Sequence, residues 1–288
     1  MLNDRILSLS CAGGGSRGIL QAGYLKAISE RNLKPDIIFG SSVGCLNACL
    51  YIQGDLDKME QLWMTVRNED VYKVNYLMLP ALLFKHNAAF NSAPLAKLID
   101  KYIDFEKIKA SPIEFVIGTT NLTESKSELF NPKDLDEKTF KRVLLASASP
   151  PMAFPPVELK PKTFYGDSGL LNNFGISVGI KRGADYILVL TPTVPEQNKV
   201  ENVLDMFSIL TSVPEYGYLD RELSFIERLN EIQDYVPQLR DIQCLVIRPP
   251  GPTGIQLLDF SFAGKNRKEL FEGAYAMAHD KLEGWLKS

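Results

Sequence analysis

The sequence predicts an α/β fold in three layers, a mainly parallel sheet with helices on both faces. Three observations carry this expectation. Short apolar strands alternate with helical segments along the 288 residues. Two of those strands, over 186–191 (YILVLT) and 242–247 (IQCLVI), are almost wholly apolar, as strands covered on both sides are. No internal repeat and no linker-like stretch interrupts the pattern, so one domain over 1–288 is expected.

The first predicted strand, 6–10, runs into the cluster Gly13-Gly14-Gly15. A helix follows over 17–30, with Leu20, Tyr24, Leu25 and Ile28 on one stripe, and Lys34-Pro35 closes it. The next strand is 36–40 (DIIFG). Helices over 43–53 and 56–66 come after it, separated by Gly54. Segment 71–90 is rich in Leu, Met, Tyr and Phe without a clean period, which suits either an apolar cap or core packing under a loop. Helix returns over 94–102. A strand over 113–121 pairs with one over 127–130, and 135–146 is helical. The run 147–157 (SASPPMAFPPV) holds too many prolines for regular structure. A short strand over 163–165 enters Gly166-Asp167-Ser168-Gly169. Segment 203–232 reads as helix broken near Pro214, and 267–286 as an amphipathic helix. The aromatic residues of 203–232 fit either a substrate groove or packing on the sheet.

Composition narrows the function. Hydrophobic residues make up 45%, charged residues 23%, and the net charge is −3. That supports a large core and gives no basic run for nucleic acid. The N-terminus lacks the features of a signal peptide, and the apolar run 74–84 is too short to span a bilayer, so a cytoplasmic location is expected. Cys11, Cys45, Cys49 and Cys244 form no CxxC pair. They read as small, reduced, buried side chains rather than as a metal site.

Two motifs carry chemistry. Gly13-Gly14-Gly15-Ser16-Arg17-Gly18 and Gly40-Ser41-Ser42-Val43-Gly44 each follow a strand and open a helix. The second has the form of a nucleophile elbow, in which Gly40 and Gly44 leave room for a tight turn that lifts Ser42 to the C-terminal edge of the sheet. The first suits an anion, because glycine amides at a helix start point outward. Gly13, Gly15 and Gly18 also match G-x-G-x-x-G, but a dinucleotide site needs an acid ending the next strand, where Phe39-Gly40 stand. No Gly-Lys-Ser/Thr follows the glycines, which excludes a P-loop.

A serine nucleophile needs a base. His279 falls in mid-helix and His86 in the apolar segment, positions poorly suited to a fixed geometry. Too few strands precede Ser42 for the usual hydrolase triad. Asp36 and Asp185 precede their strands and belong at the opposite sheet edge. Asp167 follows a strand within a glycine-flanked turn and is the best candidate. Its normal pKa near 3.9 is low for the task, so a sheltered position is expected.

These blocks resemble the patatin-like phospholipases, whose members use a Ser–Asp dyad. Gly13–Gly18 is similar to the family's oxyanion loop with its basic residue, Arg17. Gly40–Gly44 is similar to its elbow, and Asp167–Gly169 to its dyad turn. Residues 146–157 and Asn172-Asn173 extend the likeness, which covers about residues 5–190. Ser168 stands where the family has glycine, a strained substitution if that position needs φ > 0. The resemblance implies acyl-ester hydrolysis of a lipid through an acyl-enzyme on Ser42, with no cofactor or metal; an apolar cap at 71–90 would either receive an acyl chain or touch a membrane surface peripherally. A catalytically impaired acyl-binding module and an esterase on small soluble esters remain as alternatives.

Overall fold

The computed structural model describes residues 5–74, 88–194, 217–231 and 241–287. Its main sheet has the strand order β10-β9-β1-β2-β5-β8-β7, with β6 paired to β5 off that path. The strands are β1 (Leu7–Cys11), β2 (Ile37–Gly40), β5 (Glu114–Asn121), β6 (Lys126–Phe130), β7 (Val157–Lys160), β8 (Thr163–Gly166), β9 (Tyr186–Leu190) and β10 (Gln243–Ile247). A separate two-stranded ribbon joins β3 (Lys73–Val74) to β4 (Phe90–Asn91). From β10 across to β5 all neighbours are parallel, whereas β6, β8 and β7 add antiparallel pairs.

The helices are α1 (Gly18–Glu30), α2 (Val43–Ile52), α3 (Leu56–Thr65), α4 (Asn68–Val71), α5 (Ala93–Tyr102), α6 (Phe105–Ala110), α7 (Glu137–Ser147), α8 (Ile176–Lys181), α9 over 217–231, and α10 (Arg267–Lys287). Strand alternation assigns them to two faces. Leu7, Leu9, Cys11, Leu188 and Leu190 point into a core shared with α1, α2, α3, α5, α7 and α10. Ile187 and Val189 point the other way, into a smaller core with Phe174, Ile176, Leu219 and Ile226. The three-layer α/β expectation therefore holds. Helix α10 lies on α1 closely enough that a Cβ on Gly23 would be 2.6 Å from the Phe271 carbonyl oxygen.

One expectation needs correcting. The segment 242–247 does not lie in a sheet buried on both faces. Among the described residues it forms edge strand β10, with Gln243 exposed and Cys244, Leu245 and Val246 only half covered, whereas the similar-looking β9 is central and buried. Strand β7 and the short helices α6 and α8 were not foreseen, since none is long enough to show a period. Residues 75–87 of segment 71–90, and 203–216 and 232 of segment 203–232, lie outside the described residues.

Two registers position the site. Cys11 pairs with Gly40, so the loops after β1 and β2 emerge side by side. Gly166 pairs with Thr120 and Tyr165 with Asn121, at the C-terminal end of β5. Strand β8 runs against its neighbour, which would ordinarily carry its end to the far edge. It is kept at the near edge because it overlaps only those last two residues of β5.

Candidate active site

Ser42 occupies the turn between β2 and α2 at φ 52 and ψ −129. This left-handed backbone costs a residue with a side chain on the order of 1–2 kcal/mol. Packing enforces it. A Cβ on Gly40 would come within 2.8 Å of the Cys45 Cα, and one on Gly44 within 2.0 Å of the Cys11 carbonyl oxygen. The Ser42 amide donates to Ser147 Oγ at 3.0 Å, and the buried Cys45 Sγ lies 3.2 Å from that oxygen.

The Ser42 hydroxyl donates to Asp167 Oδ2 at 2.7 Å, and the Gly169 amide donates to Asp167 Oδ1 at 2.8 Å. Asp167 is 8% exposed. Burial pushes its carboxyl up from 3.8 to about 6, against the opposing pull of the hydrogen bonds from Ser42 and Gly169. Its main chain is fixed too: its amide donates to the Ser149 carbonyl, and its carbonyl accepts from Thr120 Oγ1.

Ser168 does not take a positive φ; it opens a 3₁₀ turn over Ser168–Leu170. The strain feared for a serine here therefore does not arise. Its hydroxyl is buried and donates to the Asn172 carbonyl at 2.6 Å. Room for it comes from β5, where a Cβ on Gly118 would sit 2.3 Å from Ser168 Oγ.

The glycine loop divides its work differently from expectation. The Gly13 amide is committed to Asn173 Oδ1 at 2.8 Å, so it is not open to a ligand. Gly18 lies off the site, where a Cβ would be 2.7 Å from the Trp63 ring and 2.8 Å from Val43 Cγ2; it is a packing glycine. Among the described residues the amides of Gly14 and Gly15 have no partner. Gly15 has φ +55, and its missing Cβ makes room for the Leu257 carbonyl, which accepts from the Ser16 amide. Arg17 is buried, and its Nε donates to the Ile255 carbonyl at 2.9 Å, tying the loop to segment 255–258.

The rival bases are elsewhere. Asp36 accepts the Leu7 amide and Asp185 the Ile6 amide, both at the N-terminal edge of the sheet. His279 contacts Arg31 and Glu283 belongs to the same surface group. His86 lies outside the described residues.

A cavity of about 160 Å³ opens beside Ser42 and Asp167. That is the size of an engineered cavity that holds benzene. Gly14, Gly15, Arg17 and Asn173 border it with polar groups, while α2, α3 and α5 supply apolar walls through Leu46, Leu50, Leu62, Trp63, Leu95 and Leu98. Of the described part of 71–90, only Val71 lines it. Among its described residues helix α9 does not line it: Leu219 and Ile226 pack under the sheet, Phe225 is exposed, and Met206, Phe207 and Tyr216 lie outside the described residues. The sequence marks Ser147 and Asn173 only as parts of stretches that extend the resemblance, without a hydrogen-bonding role, and gives segment 255–258 no role, because it arrives from a distant part of the chain.

Comparison with known proteins identifies the family. The family model for patatin-like phospholipases matches residues 9–180. Lysophospholipase nte1 of Aspergillus terreus is 24% identical over 98% of this chain and 18% of its own length. Lysophospholipase NTE1 of Scheffersomyces stipitis is 28% identical over 66% of this chain and 12% of its own length. The chain thus spans less than a fifth of these relatives. Among solved structures, VipD from Legionella pneumophila superposes with a TM-score of 0.52 at 13% identity, covering 97% of this chain and 67% of that one, a likeness of fold alone.

Proposed function

Since the chain belongs to the patatin-like phospholipase family, we propose that it hydrolyses fatty-acyl esters of lipids through a Ser42–Asp167 dyad, as one catalytic domain over 1–288. The observation that carries this reading is the 2.7 Å hydrogen bond from Ser42 to a buried aspartate at the mouth of an apolar cavity. In the first step Asp167 Oδ2 takes the Ser42 proton as Oγ bonds to the ester carbonyl carbon. Negative charge gathers on the carbonyl oxygen, and the amides of Gly14 and Gly15 are the donors for it. The ester C–O bond then breaks, and the alcohol leaves with the proton held by Asp167. In the second step water gives a proton to Asp167, adds to the acyl-enzyme carbonyl, and releases the fatty acid while Ser42 recovers its hydrogen.

The apolar walls fit an acyl chain, and the relatives carry the name lysophospholipase, so a single-chain phospholipid is the first substrate to test. The test is labelling with a fluorophosphonate read by intact mass. One adduct is expected on the wild type and none on Ser42→Ala, with lysophospholipid hydrolysis lost in the same variant. Labelling that survives Ser42→Ala would move the nucleophile elsewhere.

A further inference from the structure

Behind the glycine loop three buried side chains form a closed set of hydrogen bonds. Trp63 Nε1 on α3 donates to Asn47 Oδ1 on α2 at 2.9 Å. Asn47 Nδ2 donates to the Gly18 carbonyl at 3.0 Å and to Gln21 Oε1 on α1 at 3.0 Å. Gln21 Nε2 donates to the Ala12 carbonyl at 2.9 Å and the Leu190 carbonyl at 3.0 Å. All three residues are buried.

The direction of this chain is fixed at both ends. An indole N–H only donates, so the Asn47 oxygen must face it. The Asn47 amide group must then supply Gly18 and Gln21, which turns the Gln21 amide group toward two carbonyls that only accept. Both hydrogens of each amide group are used, and reversing either amide would set oxygen against oxygen in a dry site.

The carbonyls held this way bracket the loop. Ala12 precedes Gly13 and Gly18 follows Arg17, so the network clamps both ends of the segment that carries the free Gly14 and Gly15 amides. At its other end, Trp63 and Asn47 form part of the cavity wall. We propose that Gln21, Asn47 and Trp63 are positioning residues that aim the glycine-loop amides, and that an acyl chain packed on Trp63 reinforces that aim. The proposal rests on the reading of Gly14 and Gly15 as oxyanion donors. Chain length then acts on kcat, because contact far from the ester strengthens a group that works in the transition state.

Trp63→Phe tests this by keeping an aromatic ring and removing one N–H. The readouts are kcat and KM on p-nitrophenyl butyrate and laurate, and the rate of fluorophosphonate labelling. In the wild type, kcat is expected to rise from butyrate to laurate. In Trp63→Phe, kcat and labelling should fall about tenfold, the worth of one well-placed hydrogen bond, with KM for butyrate unchanged and the rise in kcat gone. Asn47→Asp keeps the acceptor for Trp63 but removes the donors, and should lose more; if it does not fold by thermal melt, Trp63→Phe decides alone. Unchanged kcat in Trp63→Phe, or an effect confined to KM for laurate, makes the network ordinary packing and overturns the proposal. A wild type that neither labels nor hydrolyses either ester instead removes the dyad reading, and this one with it.

Discussion

At the residue scale, burial shifts the Asp167 carboxyl toward the neutral range. A carboxyl that titrates at about 6 rather than 3.8 holds a proton more readily yet is largely ionised at neutral pH. Hydrolysis should therefore climb as pH rises through about 6 and level off above it. The same shift bears on stability with the opposite sign. Between the two values the folded chain keeps a proton that the unfolded chain gives up, so stability falls as pH rises through that window, by on the order of 3 kcal/mol. Asp167→Asn escapes this penalty. Its melting temperature should exceed that of the wild type at pH 8, with the advantage gone at pH 4, while hydrolysis is nearly abolished. An equal shift at both pH values would show that Asp167 is not desolvated as its position indicates. The sequence offered Ser42 and Asp167 as candidates, each in a glycine-flanked turn, and the fold sets their side chains 2.7 Å apart. The partners of the backbone amides were not legible in it, because an amide's hydrogen bond depends on what folds against it.

At the scale of elements, the dyad turn illustrates compensation between distant segments. Viewed alone, Ser168 is a departure from glycine in the turn that carries Asp167. Strand β5 supplies the answer, since Gly118 leaves the space that the Ser168 hydroxyl fills. A Cβ at 118 would also meet the Phe39 ring at 2.9 Å. Gly118→Ala is thus expected to destabilise by about 1–3 kcal/mol through overpacking. Adding Ser168→Gly should recover part of that loss in a double-mutant cycle of denaturant melts. Strict additivity of the two changes would mean that the residues do not share the space. No sequence period links positions 118 and 168; only the β5–β8 pairing brings them together. The same limit explains β10. Its apolar run resembles β9, but whether a strand has one neighbour or two depends on the order of the sheet.

At the scale of the whole molecule, exposed apolar side chains sit beside the cavity. Met152 is 62% exposed and held at φ 69, between Pro150 and Phe154, which line the cavity. Leu171, exposed as well, follows the cavity-lining Leu170. Among the described residues no helix is long and apolar enough to cross a membrane. Met152 and Leu171 are the exposed apolar side chains whose contact with a lipid surface can be tested. Met152→Asp is expected to weaken sedimentation with phosphatidylcholine vesicles and to slow hydrolysis of vesicle-borne lipid several-fold, while hydrolysis of dissolved p-nitrophenyl butyrate stays as it was. Equal losses on both substrates would assign Met152 to the cavity rather than to an interface.

The sequence by itself determined the layered α/β plan, the tight turn at Ser42 and the glycine loop, because these rest on local spacing, backbone sterics and the alternation of apolar residues. The tertiary structure alone decided which amides stay free, how β8 returns Asp167 to the same edge as Ser42, and which helices wall the cavity. Those outcomes come from strand register and packing between segments far apart in the chain, and no local pattern of residues encodes such distances.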